Sequence, residues 1–312
     1  MKATANPNLG DIQALHLLPR WVTSAPRQNT DSATFSSGAA LALLDVVVRD
    51  PSGILPAALL RDRLALEAAA ACLKLEGRFE STSDIRDAVC LVRAGDALGP
   101  AGEMFVRWRK IARVNLSVFS WLAQVRKLLP DRVAEDFSEL GVFDGSPVAQ
   151  AAGVLADALQ RFPREEAAAL MLADVALARA VGWERSVPIL AAHLNRADVR
   201  AIADGASDAR LRVDQAMIDA CDAAIRNAAD LSRRAARLNA IAPKLRTKGA
   251  GDALVLFLGH DAVSPSGMLS PMIQGTTFAM TGRAARRLCD RLVDLGVVRE
   301  LTGRSTFRLY GV

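Results

Sequence analysis

The chain has 312 residues, of which 51% are hydrophobic, only 5% are aromatic and 23% are charged. This length accommodates two domains with their own cores, and the ordinary charged fraction argues against wholesale disorder. No run of about 18 uninterrupted apolar residues occurs and the N-terminus lacks a secretory signal, so we expect a cytoplasmic protein without a membrane span.

Positive charge is concentrated at the C-terminal end. The whole chain carries a net charge of +5, but residues 231–312 contain 13 Lys and Arg against 5 Asp and Glu, a net charge of +8. Residues 1–230 therefore carry −3. A basic end is typical of a protein that meets nucleic acid through that end, although it also suits an acidic protein partner or solubility alone.

Taken in order, the chain begins with an arm and continues as a series of helices. Residues 1–31 predict a mostly irregular N-terminal arm, in which residues 15–21 pack onto the body and Trp21 is an anchor. Residues 32–246 predict an all-helical domain, because apolar residues recur with the period of a helix between Gly and Pro breaks. The predicted helices span about 32–50, 57–77, 84–95, 100–114, 116–129, 148–160, 163–181, 186–194 and 207–242.

Three features of the helical domain bear on its function. Residues 107–110 (Arg-Trp-Arg-Lys) suit either an anion or a packed Trp whose charged neighbours reach water. The long segment 207–242 carries an apolar stripe that predicts either the spine of the domain or a dimer seam. The four cysteines lie far apart without CxxC spacing, which predicts buried free thiols and no metal site.

Residues 247–312 predict a small winged helix-turn-helix domain. Residues 252–259 give its first helix, and Ser270 with Pro271 in the first turn marks the start of its second. The third helix begins after Thr281 as N-cap and ends at Gly296. The following residues predict a β-hairpin wing around the turn 302–304.

The third helix is amphipathic and has an unusual order of charges. Its apolar side is predicted to comprise Ala285, Leu288, Cys289, Leu292 and Leu295, and its polar side Arg283, Arg287, Asp290 and Asp294. The helix dipole favours acids near the N-terminus and bases near the C-terminus, yet the arginines occupy the first turns. A polyanion benefits from this arrangement, whereas the alternative is a solvated face of a module used for packing or protein contacts.

Several segments resemble a bacterial family known as domain of unknown function 1403. They are SGAALALLDVVVRD, RLALEAAAACLKLEGR, RAGDALGPAGEMFVRWRKIA, ALARAVGWERSVPILAA, APKLRTKGAG and GRAARRLCDRLVDLGVVRELTGRSTFRLYG, and they run from about residue 37 to the end. The resemblance implies no reaction and no catalytic residues. The C-terminal part is also similar to winged helices attached to some Fic-type proteins, although residues 273–280 make a longer segment than that pattern has.

Motifs for catalysis are missing from the sequence. It contains no GxxxxGK[ST] loop, HExxH, GxSxG or Fic signature, and its three histidines are far apart. We therefore expect no enzyme, no cofactor and no metal, while an unfamiliar helical active site stays an alternative.

These patterns favour a protein that binds double-stranded DNA, either a transcriptional regulator or a factor of a mobile element. Such readers often act as homodimers on two half-sites. The alternative is a non-enzymatic adaptor that uses the winged helix to bind another protein. The expected DNA contacts are Thr281, Arg283, Arg286 and Arg287 on the recognition helix, Arg304 and Arg308 on the wing, and Lys244, Arg246 and Lys248 on the linker.

Overall fold

Helices make up most of the described chain. The computed structural model describes residues 17–24, 29–92, 95–137, 141, 143–245, 247–304 and 306–312. The α-helices in these residues are α1 (Arg20–Thr23), α2 (Thr30–Val48), α3 (Ala57–Leu75), α4 (Thr82–Cys90), α5 (Gly99–Ile111), α6 (Trp121–Arg126), α7 (Asp131–Asp136), α8 (Pro147–Arg161), α9 (Glu166–Val181), α10 (Arg196–Ala203), α11 (Ala209–Ile241), α12 (Ala250–Gly259) and α13 (Gly282–Asp294). The strands among them are β1 (Arg299–Glu300) and β2 (Tyr310–Gly311), so the prediction of a mainly helical fold is confirmed.

Helix α11 is the spine of the helical body. It packs along α2, while α8 packs along α9 and α3 along α5. Its apolar stripe, from Ile218 through Ile225 to Leu238, is buried within the same chain. The fully buried carboxylate of Asp214 accepts hydrogen bonds from Thr34 (2.9 Å) and Ser37 (2.7 Å), so a polar contact fixes α11 against α2.

Helix α2 is the one described helix whose length and composition would allow it to cross a membrane. Its mean hydropathy is 1.3, and 39% of the 18-residue window is buried inside the protein. In the structure, this helix contributes Ala40, Leu41 and Leu44 to the core against α11.

Three of the predicted helices differ in the structure, two of them because of tertiary contacts. Residues 116–129 form only α6, because the amide of Leu116 donates to the carbonyl of Glu184 (2.7 Å) instead of to a helical partner. Residues 186–190 are not helical, since the amides of Ile189 and Leu190 donate to the buried carboxylate of Asp174. Helix α4 is capped by Ser81 and not by Ser83.

The N-terminal arm is only partly described. Residues 1–16 and 25–28 lie outside the described residues, and residues 20–23 form the short helix α1 where irregular chain was expected. Leu18 and Val22 are buried against the body, but Trp21 is 57% exposed. Trp21 contacts the ring of Phe35 at a centroid distance of 5.9 Å. The anchoring side chains are therefore Leu18 and Val22.

Residues 247–312, which we call the C-terminal segment, contain α12, α13 and the two strands. The predicted second helix at Ser270 does not form. Residues 260–281 instead follow an irregular path with a bridge between Met272 and Ala279. The amide of Ile273 donates to the carbonyl of Phe278, and this loop closes over Gly249, where a Cβ would lie 2.6 Å from the Phe278 ring. A turn closed by its own backbone bonds replaces the helix.

The strands are shorter than predicted. β1 and β2 pair antiparallel, with Glu300 opposite Tyr310. Tyr310 also bridges Val263, which follows α12, so the three segments lie in the order Val263, Tyr310, Glu300. The hydroxyl of Tyr310 lies 3.4 Å from the carboxylate of Asp290, so the middle segment also contacts α13.

Polar contacts join the C-terminal segment to the helical body. Asp261, which is 5% exposed, pairs with Arg63 of α3 (3.2 Å) and Arg86 of α4 (2.6 Å). The amide of Asp261 donates to the carboxylate of Asp62, and Arg63 also contacts the carbonyl of Val312. The hydrophobic cores of both parts are continuous.

Candidate nucleic-acid interface

Helix α13 forms as its sequence predicts. The hydroxyl of Thr281 accepts a hydrogen bond from the amide of Ala284 (3.2 Å), and Gly296 after the helix adopts a left-handed φ of 67°. Both are standard helix-end arrangements. The buried residues are Ala285, Leu288, Cys289 and Leu292, while Leu295 is partly buried. The opposite face is therefore presented to solvent.

Three arginines dominate the first half of that exposed face. Arg283, Arg286 and Arg287 are all exposed, and no Asp or Glu of the described residues forms an ion pair with any of them. Uncapped amides at a helix N-terminus already carry partial positive charge. Together with the amides that Thr281 does not cap, these arginines concentrate positive charge that no carboxylate of the described residues neutralises.

The second half of α13 is mixed in charge. Asp290 and Asp294 are exposed, as predicted, and Arg291 is exposed as well, at the edge of the same side. Sequence reasoning did not single out Arg291, although its spacing of four from Arg287 places the two on adjacent turns. The basic face is thus longer than predicted.

The two arginines of the predicted wing differ from those of α13 because both lie near carboxylates. Arg304 pairs with Asp87 of α4 at 2.6 Å, and its side chain is 54% exposed. Arg308 lies 3.9 Å from Asp290 and donates from Nε to the carbonyl of Arg304. The residues of the predicted wing therefore contact the helical body through Arg304 and α13 through Arg308.

The linker residues lie at the end of α11. Lys244 and Lys248 are exposed, whereas Arg246 lies outside the described residues. Arg237 and Arg299, which sequence reasoning did not assign, line a groove of about 310 Å³ between the end of α11 and the turn after α13. Only the tertiary structure brings these two residues together, since they are 62 positions apart.

A second concave surface lies between α13 and the wing. Its cavity of about 360 Å³ is lined by Arg286, Arg308, Tyr310 and Phe307, among others. Phe307 is 66% exposed and has a positive φ of 55°, an uncommon conformation for an aromatic residue. An apolar ring is therefore offered to solvent beside the basic face.

Comparison with protein-family models identifies a family for the chain. No curated protein matches the chain. The model of the family described as "Protein of unknown function (DUF1403)" matches residues 6–312, and that description names no reaction, winged helix or Fic-type protein. The chain belongs to the DUF1403 family.

Proposed function

We propose that this protein binds double-stranded DNA through α13, as a transcriptional regulator or a mobile-element factor. The observation that carries the proposal is a set of exposed arginines in the first turns of that helix, for which the described part of the chain offers no ion-paired carboxylate: Arg283, Arg286 and Arg287. DNA-reading helices place their N-terminal residues in the major groove, where Arg binds guanine or phosphate.

The order of the short β segments supports a winged-helix role for the C-terminal segment. Val263, Tyr310 and Glu300 lie side by side. In the chain, helix α12 precedes Val263 and helix α13 precedes Glu300. The irregular residues 264–280 stand where a helix-turn-helix has its second helix. The recognition role therefore rests on α13 and on strands β1 and β2.

A salt titration tests the proposal. We expect log affinity for a short DNA duplex to fall steeply with log salt, because cations on α13 displace counterions from the phosphates. Replacing Arg283, Arg286 and Arg287 together by Gln should reduce the slope by about two to three units, since each arginine that binds a phosphate contributes about one unit.

The matched control removes three exposed cations elsewhere, Lys74, Lys127 and Arg132, and is expected to keep most of the slope. Wild-type protein that is folded yet does not retard duplex at low salt would rule out the proposal.

The exposed Phe307 favours a second function, in which the wing and α13 bind another protein. Aromatic side chains and arginines are enriched at protein interfaces. In that case Phe307→Ser would abolish retention of a co-purifying partner, and nuclease treatment would leave the retention unchanged. If α13 binds DNA instead, nuclease treatment should abolish the retention.

A further inference from the structure

A strongly basic cavity of about 370 Å³ lies on the helical body, apart from α13 and the wing. Its charged lining consists of Arg61, Asp62, Arg109, Arg113, Arg185 and His260. Known ligand sites have volumes of roughly 300 to 1,000 Å³, so the cavity is large enough for a small molecule.

Four separate parts of the chain supply this lining. Arg61 and Asp62 lie on α3, Arg109 lies in the last turn of α5, and Arg113 lies in the turn that follows it. Arg185 follows α9, and His260 directly follows α12. The site therefore forms only when the helical body and the C-terminal segment are packed together.

The cations outnumber the carboxylates. Asp62 is 3% exposed and lies 3.2 Å from Arg113 and 3.9 Å from Arg109. Arg185 pairs with Glu184 (3.5 Å), a carboxylate that is 73% exposed and not part of the lining. With one carboxylate inside and one outside, the four guanidinium groups leave an excess of two positive charges.

This arrangement disfavours the charged form of Arg61. No Asp or Glu in the described residues forms an ion pair with it. Desolvation, together with repulsion from Arg185 and Arg113 and against a smaller opposing effect of Glu184, lowers the pKa of Arg61 to about 10. Like charges brought together in a partly dry site are costly, and an anion placed between them removes that cost.

We propose that this cavity binds a small dianion that carries a phosphate group, such as the phosphate monoester of a small metabolite. A phosphate supplies two negative charges and three acceptor oxygens, which match the excess charge and the planar donor groups of several arginines. Because the cavity is concave and separate from α13, a free phosphate compound fits it better than a duplex backbone does.

Calorimetric titration and thermal unfolding with inorganic phosphate test this proposal, with chloride at equal ionic strength as reference. We expect phosphate to raise the unfolding temperature, because a ligand that binds only the folded state stabilises it. Arg61→Met keeps the side-chain stem and should weaken phosphate binding by about tenfold or more. Arg107→Met on α5 removes an equal charge outside the cavity and should leave binding unchanged.

Two outcomes would overturn the proposal. One is equal stabilisation of wild type, Arg61→Met and Arg107→Met by phosphate. The other is displacement of phosphate by a short DNA duplex, with a smaller salt slope in Arg61→Met, which would assign the cavity to the DNA surface. Should Arg61→Met fail to fold, Arg185→Met takes its place with the same expected weakening of phosphate binding. Loss of duplex binding in the α13 variant, in contrast, has no bearing on phosphate binding.

Discussion

The guanidinium of Arg304 lies 2.6 Å from the carboxylate of Asp87, so the residues between β1 and β2 are attached to helix α4 of the body. The preceding residue of α4, Arg86, binds Asp261 of the C-terminal segment. Consecutive residues of one helix thus hold the segment at two points, with opposite charges. Asp87 thus forms an ion pair with Arg304, an arginine that was expected to contact DNA.

Asp87→Asn should release Arg304 for phosphate contact. The Arg304 side chain is 54% exposed and the Asp87 side chain 18%, so we expect unfolding free energy to change by about 1 kcal/mol or less. Duplex affinity should increase and the salt slope should grow by about one unit. In the double variant Asp87→Asn with Arg304→Gln, the gain should disappear. A gain that persists in the double variant would show that Arg304 does not contact DNA.

Asp261→Asn should destabilise the protein strongly. Asp261 is 5% exposed and pairs with both Arg63 and Arg86, so its loss leaves two partly buried guanidinium groups without their carboxylate. Breaking a buried ion pair from one side typically costs about 3 to 5 kcal/mol. Urea unfolding measures the change. The exposed pair of Asp157 and Arg161 is the control, and Asp157→Asn should cost about 1 kcal/mol or less.

Thr281→Ala should destabilise the first turn of α13. The Thr281 hydroxyl is the N-cap acceptor for the amide of Ala284, and loss of such a cap costs about 1 kcal/mol. Thr281→Ser keeps the acceptor and should keep both the stability and the duplex affinity. Equal stability of the Ala and Ser variants in thermal unfolding would contradict the role of this cap.

His260 should make the protein less stable below neutral pH. Desolvation lowers the pKa of His260 from its ordinary value of 6.5, and Arg113 and Arg109 lower it further against the opposing effect of Asp62. The folded protein then binds fewer protons than the unfolded chain. Its stability is full above pH 6.5 and is lost as the pH falls from there towards the folded-state pKa. Urea unfolding across this range should show that His260→Gln loses less unfolding free energy than the wild type as the pH falls. His193 should contribute to the loss that remains, because burial also lowers its pKa.

The same histidine gives the cavity a pH-dependent affinity. Sulfate keeps its double charge between about pH 8 and pH 5.5, so any change in its binding reports on the protein. An anion beside His260, Arg61 and Arg185 favours the protonated imidazole, and we expect sulfate to bind more tightly as the pH falls. His260→Gln should remove that trend in a calorimetric titration. A trend of the same size in His260→Gln would assign it to other groups.

Features that depend on neighbouring residues could be predicted from the sequence. The cap at Thr281, the termination at Gly296 and the two faces of α13 follow from positions three and four apart in a helix. The apolar stripe of α11 follows from the same period, and its burial follows from the amount of Ala and Leu around it. The concentration of positive charge after residue 230 needs only the composition.

Features that depend on distant partners could not be predicted. Ser270 and Pro271 have the sequence of a helix start. The backbone amides and carbonyls of residues 271–280, however, form hydrogen bonds with one another that are not those of a helix. Asp87 and Arg304 are separated by 217 positions, and the arginines of the cavity come from α3, α5 and the residues after α9. Charge pairing and cavity shape are set by which surfaces pack together, and this is why the tertiary structure alone decided which arginines are neutralised and which remain free to meet an anion.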